Sequence, residues 1–493
     1  MSLAMIKTRA LLGLEAPPVR VEVHLANGLP AFNLVGLPET AVKESRDRVR
    51  SALITAGFDF PARRITVNLS PADLPKEGGR YDLPIALGIL VASGQLPQTA
   101  VEPWEFLGEL ALNGELRPVK GVLPTALGAA HQGHQLLVPQ DNAAEAGLVS
   151  QLEVRSAAHL LQVSAFLCGQ ESLPLEKGHP AEAPQPVGQD LRSIKGQAGA
   201  KRALEIAAAG GHNLLFTGPP GSGKTLLASC LPALLPPLDE NQALEVAAIQ
   251  SISEGFDIKS WRQRPYRAPH HSSSSVALVG GGSYPRPGEI SLAHQGVLFL
   301  DELPEFERRV LEALREPLEA GEIHLSRAAQ QTCYPSDFLL LAAMNPCPCG
   351  HLGNPQQPCR CSEGQIQKYR GRLSGPLLDR IDMHLEVAAV PPDELWGPAS
   401  GESTEMVRAR VLAARERQIR RAGKLNSAMT PADVEAELDS PELKQLLSQA
   451  MQKMQLSARA AHRVVKVALT LADLEGAPKL ARSHLLEALG YRK

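Results

Sequence analysis

Neither sign of charge dominates this chain: 50 Lys and Arg stand against 53 Asp and Glu, a formal net charge of -3 over 493 residues. Without a global positive field, any nucleic-acid surface must be a local patch. Long apolar runs are also missing. Stretches such as Leu83 to Ala92 fall far short of the roughly 20 residues that cross a bilayer, so no association with membranes is expected. The opening MSLAMIKTRALLG lacks the apolar core and small-residue cleavage site of a signal peptide, which predicts a cytoplasmic protein. Cysteines are few. Of the seven, four crowd into one short window while Cys168, Cys230 and Cys333 lie apart, a pattern that suits a metal site in a reducing compartment better than a disulfide framework.

What is present is ordinary globular material, 44% hydrophobic and 21% charged, in a chain long enough for two to four domains. Residues 1–170 carry short alternating apolar runs that read as strands, such as Val19 to Leu25 and Arg64 to Leu69. Between them Thr40 to Ala56 and Leu83 to Gly94 read as helices, an α+β domain. Proline, glycine and charge gather in a linker at 171–192. From 193 to 395 strands alternate with helices as in an α/β, doubly wound parallel sheet, with a cysteine-bearing insert near 347–361. Residues 396–493 read as a helical domain. There Ser440-Pro441-Glu442 is an N-cap signature, and Ser457 to Leu474 has helical apolar spacing.

The chemistry concentrates in the α/β region. A short buried-strand pattern, His212 to Thr217, runs into Gly218-Pro219-Pro220-Gly221-Ser222-Gly223-Lys224-Thr225 and then an apolar helix. This is G-x-x-x-x-G-K-T in its strand–loop–helix context. The glycines let backbone N–H groups wrap phosphates, Lys224 reaches the β- and γ-phosphates of ATP, and the Thr225 hydroxyl ligates Mg²⁺. A second strand, Gly296 to Leu300, ends in Asp301-Glu302, an acidic pair that is costly to bury unless it faces a cation. Asp301 is placed to hold the Mg²⁺ shell and Glu302 to deprotonate the attacking water, although a strand-end cap would look the same. After a third strand, Phe338 to Ala343, comes Asn345, whose amide could position that water; alone it would be a turn residue.

Cys347-Pro348-Cys349 and Cys359-Arg360-Cys361 form two C-x-C arms around a loop rich in Gly, Pro, Asn and Gln. Four thiolates can close a tetrahedral, structural Zn²⁺ site. Unliganded thiols on an exposed loop are the alternative, and His351 is a less favoured fourth ligand. The insert Trp261 to Pro287 interleaves Arg262, Arg264, Arg267, His270 and His271 with Trp261, Tyr266 and Tyr284, which suits a single-strand channel or simply an irregular loop. Ile323 to Tyr334, which carries Arg327, reads as a β-hairpin. The basic stretch Met406 to Lys424 reads as a solvated helix face.

With VGLPETAVKESRDRVRSAL, LPKEGGRYDLPIALGIL, PHHSSSSVALVGGG, PGEISLAHQGVLFLDELPEF, LSGPLLDRIDMHLEV and LSARAAHRVVKVALTLADLEG, the chain resembles the ComM/YifB family of magnesium-chelatase-like AAA+ ATPases over nearly its whole length. The resemblance implies a homo-oligomeric, hexameric ring in which Arg380 is an arginine finger reaching a neighbour's γ-phosphate. It also implies that Arg459 is a second sensor in the lid, and that the Arg327 hairpin lines the central pore; the basic–aromatic insert read above adds Arg264 and Arg267 as candidate DNA contacts. The first domain resembles the Lon-protease fold. There Arg80 stands at the serine position, Leu123 at the lysine position and Lys120 three residues away. Neither Arg80 nor Leu123 can act as nucleophile or base, so peptidase activity is disfavoured. The resemblance thus implies an ATP-dependent motor on single-stranded or branched DNA, a branch-migration helicase serving recombination or natural transformation. A chelatase-type or chaperone-like motor that remodels a protein partner is the rival.

Overall fold

The computed structural model describes residues 2–178, 188–282, 285–326, 331–354, 357–391, 394 and 401–492. Two compact units emerge, one of Met1–Glu182 with Ala243–Trp261, the other of Ala183–Gln242 with Arg262–Lys493. The expected linker at 171–192 falls partly on residues 179–187, outside the described residues.

In the first unit eight strands form one mixed sheet. Their order is Leu175–Glu176, Val154–Ala157, Gln135–Pro139, Trp104–Phe106, Ser2–Arg9, Pro18–Ala26, Arg64–Ser70, Ala31–Val35. The period-two pattern does the work expected of it: Val19, Val21, Val23 and Leu25 turn inward, and so do Ile65, Val67 and Leu69 on the antiparallel neighbour. Onto this face packs the helix Asp82–Ala92, buried along almost its whole length. The helix expected over Thr40 to Ala56 is two, Thr40–Lys43 and Ser45–Thr55. The break turns Ser45 inward, where its hydroxyl donates to the buried Asp82 carboxylate beside Arg48.

The first unit also takes a segment that sequence order places inside the ATPase region. Ala247 and Ala248 bury against Val122, Leu123 and Leu148, and the Gly121 amide donates to the Ser251 carbonyl at 3.0 Å. Alternation of elements along the chain could not reveal this, because only contact decides which core a helix joins.

The second unit holds a five-stranded parallel sheet ordered Tyr266–Arg267, Val297–Leu300, Leu339–Met344, Leu214–Thr217, Met383–Glu386. The first of these in sequence, Leu214–Thr217, lies between the last two. The helical C-terminal region is continuous with this core: Val407, Val411, Val464 and Ala468 bury in one cluster with Ala203, Leu204, Ala207 and Leu231. Ser457 caps its helix Ala458–Glu475 by accepting from the Ala460 amide, whereas Ser440, at the N-cap of Pro441–Met454, makes no side-chain cap bond.

The basic helix, Thr404–Ala422, is not a solvated face. Arg410 pairs with Glu205 at 2.6 Å, Arg415 donates to the Ala208 carbonyl at 2.8 Å, Arg417 to the Asp473 carbonyl at 2.6 Å, and Arg421 to Asp473 at 2.7 Å. Burial pushes the Arg415 guanidinium down to about 9. Long aliphatic stems carry these charges over the apolar seam to helix-end carbonyls and carboxylates, a use that a charge pattern alone does not distinguish from solvation. Arg420 and Glu416 do remain an exposed pair. Among the described residues no helix is long and apolar enough to cross a membrane.

Candidate active site

Parallel pairing in register explains why three separate motifs meet. Leu300 lies opposite Ala342, and Thr217 opposite Met344, so the loops leaving all three strands emerge at one carboxyl edge of the sheet, where doubly wound folds bind ligands. The result is a cleft of about 380 Å³ lined by Pro220 to Leu226, Asp301, Glu302, Met344 and Asn345.

Gly218 has to be glycine, because a Cβ there would lie 2.2 Å from the Val387 carbonyl oxygen. The helix Lys224–Leu234 starts at the cleft and presents its N-terminal amides there. Lys224 Nζ donates to the Gly218 and Pro219 carbonyls at 2.8 and 2.9 Å and reaches Asn345 Oδ1 at 3.3 Å. Burial lowers its pKa, partly offset by Asp301 and Glu302. Ser222 Oγ is buried in the same loop with no hydrogen-bond partner among the described residues.

Thr225 Oγ1 donates to Asp301 Oδ2 at 2.7 Å. A hydroxyl and a carboxylate held side by side beside an ammonium form a hard-oxygen donor set that fits Mg²⁺ shared with a phosphate chain. Glu302 sits in the left-handed region at φ 53°, ψ 45°, an uncommon conformation for a side-chain-bearing residue that clusters at functional sites. Its carboxylate Oε2 lies 2.9 Å from His271 Nδ1, a contact that sequence reading missed. His271 belongs to the PHHSSSS run, read above as part of a single-strand channel; the parallel pairing of Tyr266–Arg267 with Val297–Leu300 carries that run to the acidic pair instead.

The rest of the insert is likewise engaged within the chain. Trp261 packs edge-on to Phe256. Arg264 donates to the Pro236 and Gln295 carbonyls, both at 2.6 Å, and burial pushes its pKa down to about 10. Arg267 forks onto Glu289 at 2.6 and 2.8 Å. Both guanidiniums expected to contact DNA are thus engaged at the sheet edge. Arg327 and Tyr284 lie outside the described residues.

Arg380 and Arg459 do not line the cleft of their own chain. Arg380 pairs with Glu319 and donates to the Pro376 carbonyl at 2.9 Å, its side chain largely buried. Arg459 is exposed at the start of its helix, near enough to Glu319 to help hold that carboxyl below its usual range, after the larger effect of Arg380. Arg463, one turn further on, pairs with the buried Asp382.

The four clustered cysteines come together. The Sγ of Cys347 lies 3.4 Å from Cys349 and 3.6 Å from Cys359, and Cys349 lies 3.6 Å from Cys359. With Cys361 included, all four sulfurs fall within 4.8 Å of one another. A tetrahedron with Zn–S bonds of about 2.3 Å has edges of roughly 3.8 Å, so the donors fit Zn²⁺. His351 is not of the group. Gly350, in the same loop at φ 79°, abuts the phosphate loop: a Cβ there would lie 2.5 Å from Pro220 Cδ.

In the first unit Arg80 is buried, donating through Nη2 to Thr125 Oγ1 at 3.1 Å and to the Lys120 and Gly121 carbonyls at 3.4 Å. Lys120 turns to the Ser253 carbonyl and Leu123 is fully buried. All three side chains are thus engaged within the fold.

Comparison with known proteins agrees along the whole chain. The chain is 52% identical over 499 residues to the competence protein ComM of Haemophilus influenzae, covering 100% of this chain and 98% of that relative. The chain belongs to the ComM/YifB family. YifB of Salmonella typhimurium is also 52% identical, with 100% of this chain and 97% of that protein covered. A more distant likeness, 26% over 230 residues, joins 41% of this chain to 31% of the magnesium-chelatase 67 kDa subunit of Heliobacterium mobile. Family models for magnesium chelatase subunit ChlI match residues 190–395, for subunit ChlI of Mg-chelatase residues 21–142, and for the ChlI C-terminal region residues 401–492. Membership of this magnesium-chelatase-like AAA+ family implies ATPase activity, with ATP and Mg²⁺ at the cleft.

Proposed function

We propose that this protein is an ATP-driven ring motor acting on DNA, a branch-migration helicase serving recombination or natural transformation in the cytoplasm. One observation carries the reading: full-length likeness to a protein named for competence, with the nucleotide cleft intact. Mg²⁺, when bound, would supply positive charge against the developing charge of the phosphates. Lys224 and the amides of Gly221 to Thr225 hold the phosphate chain, Thr225 and Asp301 hold the ion, and Asn345 orients the water. Glu302 takes the proton of that water once His271 releases it. Arg380 acts in the neighbouring subunit's site, freed from Glu319 on assembly, and Arg459 senses the same nucleotide from the lid. The four thiolates carry a structural Zn²⁺ that holds Gly350 against Pro220 and so braces the phosphate loop. The first unit is a degenerate Lon-like domain used for assembly or substrate binding.

With Arg264 and Arg267 engaged inside the fold, the DNA contact is assigned to Arg327, which in sequence follows the strand Glu322–Ser326 and itself lies outside the described residues. The test is ATP turnover by the full chain alone and with single-stranded, duplex or four-way branched DNA. Branched or single-stranded DNA should raise the rate in the wild type and not in Arg327→Ala, and the effect should fall steeply with salt. A ring that neither binds DNA nor changes its turnover would transfer the argument to the second reading, a chelatase-type or chaperone-like motor that remodels a protein partner; likeness to magnesium chelatase supports only the chelatase-type part of it.

A further inference from the structure

The hairpin Glu322–Ser326/Gln331–Pro335 forms a two-stranded sheet of its own, and such a ladder is marginally stable unless something else holds it. One of its faces is held by the core: Ile323, Leu325 and Tyr334 are buried, and Tyr334 donates to the Pro285 carbonyl at 2.8 Å. The period of two then turns Glu322, His324 and Cys333 together onto the opposite, solvent-facing side. His324 is directly opposite Cys333 in the antiparallel register, and Glu322 lies two residues before His324 on the same face. Side chains at opposite positions of such a ladder stand about 5 Å apart at Cβ, a spacing that two ligands of one ion can span.

The side chains already converge. His324 Nε2 lies 3.0 Å from Glu322 Oε1, Cys333 Sγ lies 3.3 Å from Glu322 Oε2, and one ligand atom from each residue falls within 4.8 Å of the other two. Tetrahedral zinc with bonds of about 2.0–2.3 Å requires ligand separations of roughly 3.3–3.7 Å. The two short contacts, one through each Glu322 oxygen, are within a few tenths of an ångström of that range, and rotation of the exposed side chains can bring one oxygen, the imidazole nitrogen and the sulfur into a common shell. One imidazole nitrogen, one carboxylate and one thiol make a mixed donor set of intermediate softness, which suits zinc and disfavours Mg²⁺ or Ca²⁺.

We propose that Glu322, His324 and Cys333 form a second zinc site, separate from the four-cysteine loop, that staples the two strands at the base of this hairpin. The Cys333 thiol loses its proton to solvent on binding, Glu322 binds as carboxylate, and His324 binds as neutral imidazole with its remaining N–H on the other ring nitrogen. Each ion bound thus releases one proton from the thiol, and water completes the fourth position. The ion links Glu322 and His324 on one strand to Cys333 on the other, which ties the two strands together at the base of the hairpin. The assignment stands on the hairpin's own geometry and does not depend on what the motor acts upon.

The test uses the full-length protein, reduced and equilibrated in zinc-buffered solution, with metal counted by elemental analysis after gel filtration. The wild type should hold two zinc ions per chain, and Cys333→Ser, His324→Asn and Glu322→Gln each one. The ligands are exposed, so the variants should fold as wild type does, and the Arg420→Ala chain serves as a charge-change control that keeps two. Replacing zinc with Co²⁺ adds a readout specific to thiolate: part of the near-ultraviolet charge-transfer absorption should be lost in each of the three hairpin variants and kept in wild type and Arg420→Ala. In a Cys347→Ser, Cys359→Ser chain, one zinc should remain and be lost on adding Cys333→Ser. Equal metal content in wild type and all three hairpin variants would overturn the proposal, whatever the count at the four-cysteine loop.

Discussion

Two loops in this chain look alike in sequence and do opposite things. PKEGGRYD in the first unit and GPPGSGKT in the second each follow glycines with a cation and then a helix, Asp82–Ala92 or Lys224–Leu234. Arg80 points inward, its Nη2 donating to Thr125 and two carbonyls while Nε and Nη1 are buried without a hydrogen-bond partner among the described residues, and burial lowers its pKa. Lys224 lines an open cleft where Thr225, Asp301, Glu302 and Asn345 converge with it. A cation closed inside the core is architecture. One that shares a cleft with a hydroxyl, two acids and an amide is available for chemistry. The lesson is that the glycine–cation–helix pattern marks a tight turn, and the neighbouring strands decide its use.

The sharpest way to break that comparison is at the acidic pair. Glu302→Gln should bind ATP and lose turnover by at least about 10²-fold, because an amide cannot take the water's proton. Equilibrium nucleotide binding and steady-state hydrolysis measure the two halves, and near-normal hydrolysis would remove Glu302 from the mechanism. Nearly as large is the effect at Arg380. Arg380→Ala should bind ATP without hydrolysing it, while mixing with Lys224→Ala chains should restore part of the activity, since mixed interfaces pair an intact phosphate loop with an intact arginine. A flat response at every mixing ratio would place Arg380 elsewhere, for instance in its observed pair with Glu319.

On the other side of the comparison, Arg80→Ala should cost stability instead of catalysis. It leaves a cavity beside Glu145, whose carboxyl is pushed up by burial and helped down in part by Arg80. A loss of about 3 kcal/mol is expected, read as a lower melting temperature with unchanged kcat below the transition. A collapse of kcat with no change in melting would mean that the first unit acts in the chemistry. The gentlest test concerns acid. His212 is fully buried with Thr470, and burial lowers its pKa from 6.5 to about 4 despite the nearby Asp382; burial moves His384 in the same way. The unfolded chain therefore takes up protons first, so stability should fall as pH drops from about 6.5 toward 4. His212 alone accounts for about 3 kcal/mol. His212→Gln should flatten that slope in denaturant titrations across this range.

Much of the site was legible in advance because its determinants are local. A phosphate loop needs consecutive amides and glycines, so Gly218 to Thr225 is visible as a string, and the strands before it and before Asp301 show as buried runs. The cysteine arms were equally plain, each pair being two residues apart. By contrast, the partners of Arg264, Arg267, Arg415 and Arg417 were not legible, since a guanidinium's partner is chosen by whatever carbonyl or carboxylate the fold brings within a few ångströms.

What the sequence by itself determined is the family, the parallel core, the ATP-binding loop and the cysteine donors, since each depends on residues within a few positions of one another or on side-chain periodicity. Only the tertiary structure decided that Ala243–Trp261 joins the first unit, that His271 meets Glu302, and that Gly350 presses the cysteine loop onto Pro220. It likewise set Glu322, His324 and Cys333 on one face of a hairpin. These pairings join positions up to about a hundred residues or more apart, and no local pattern encodes them. They follow from strand order, register and the burial of apolar faces, which the chain satisfies only as a whole.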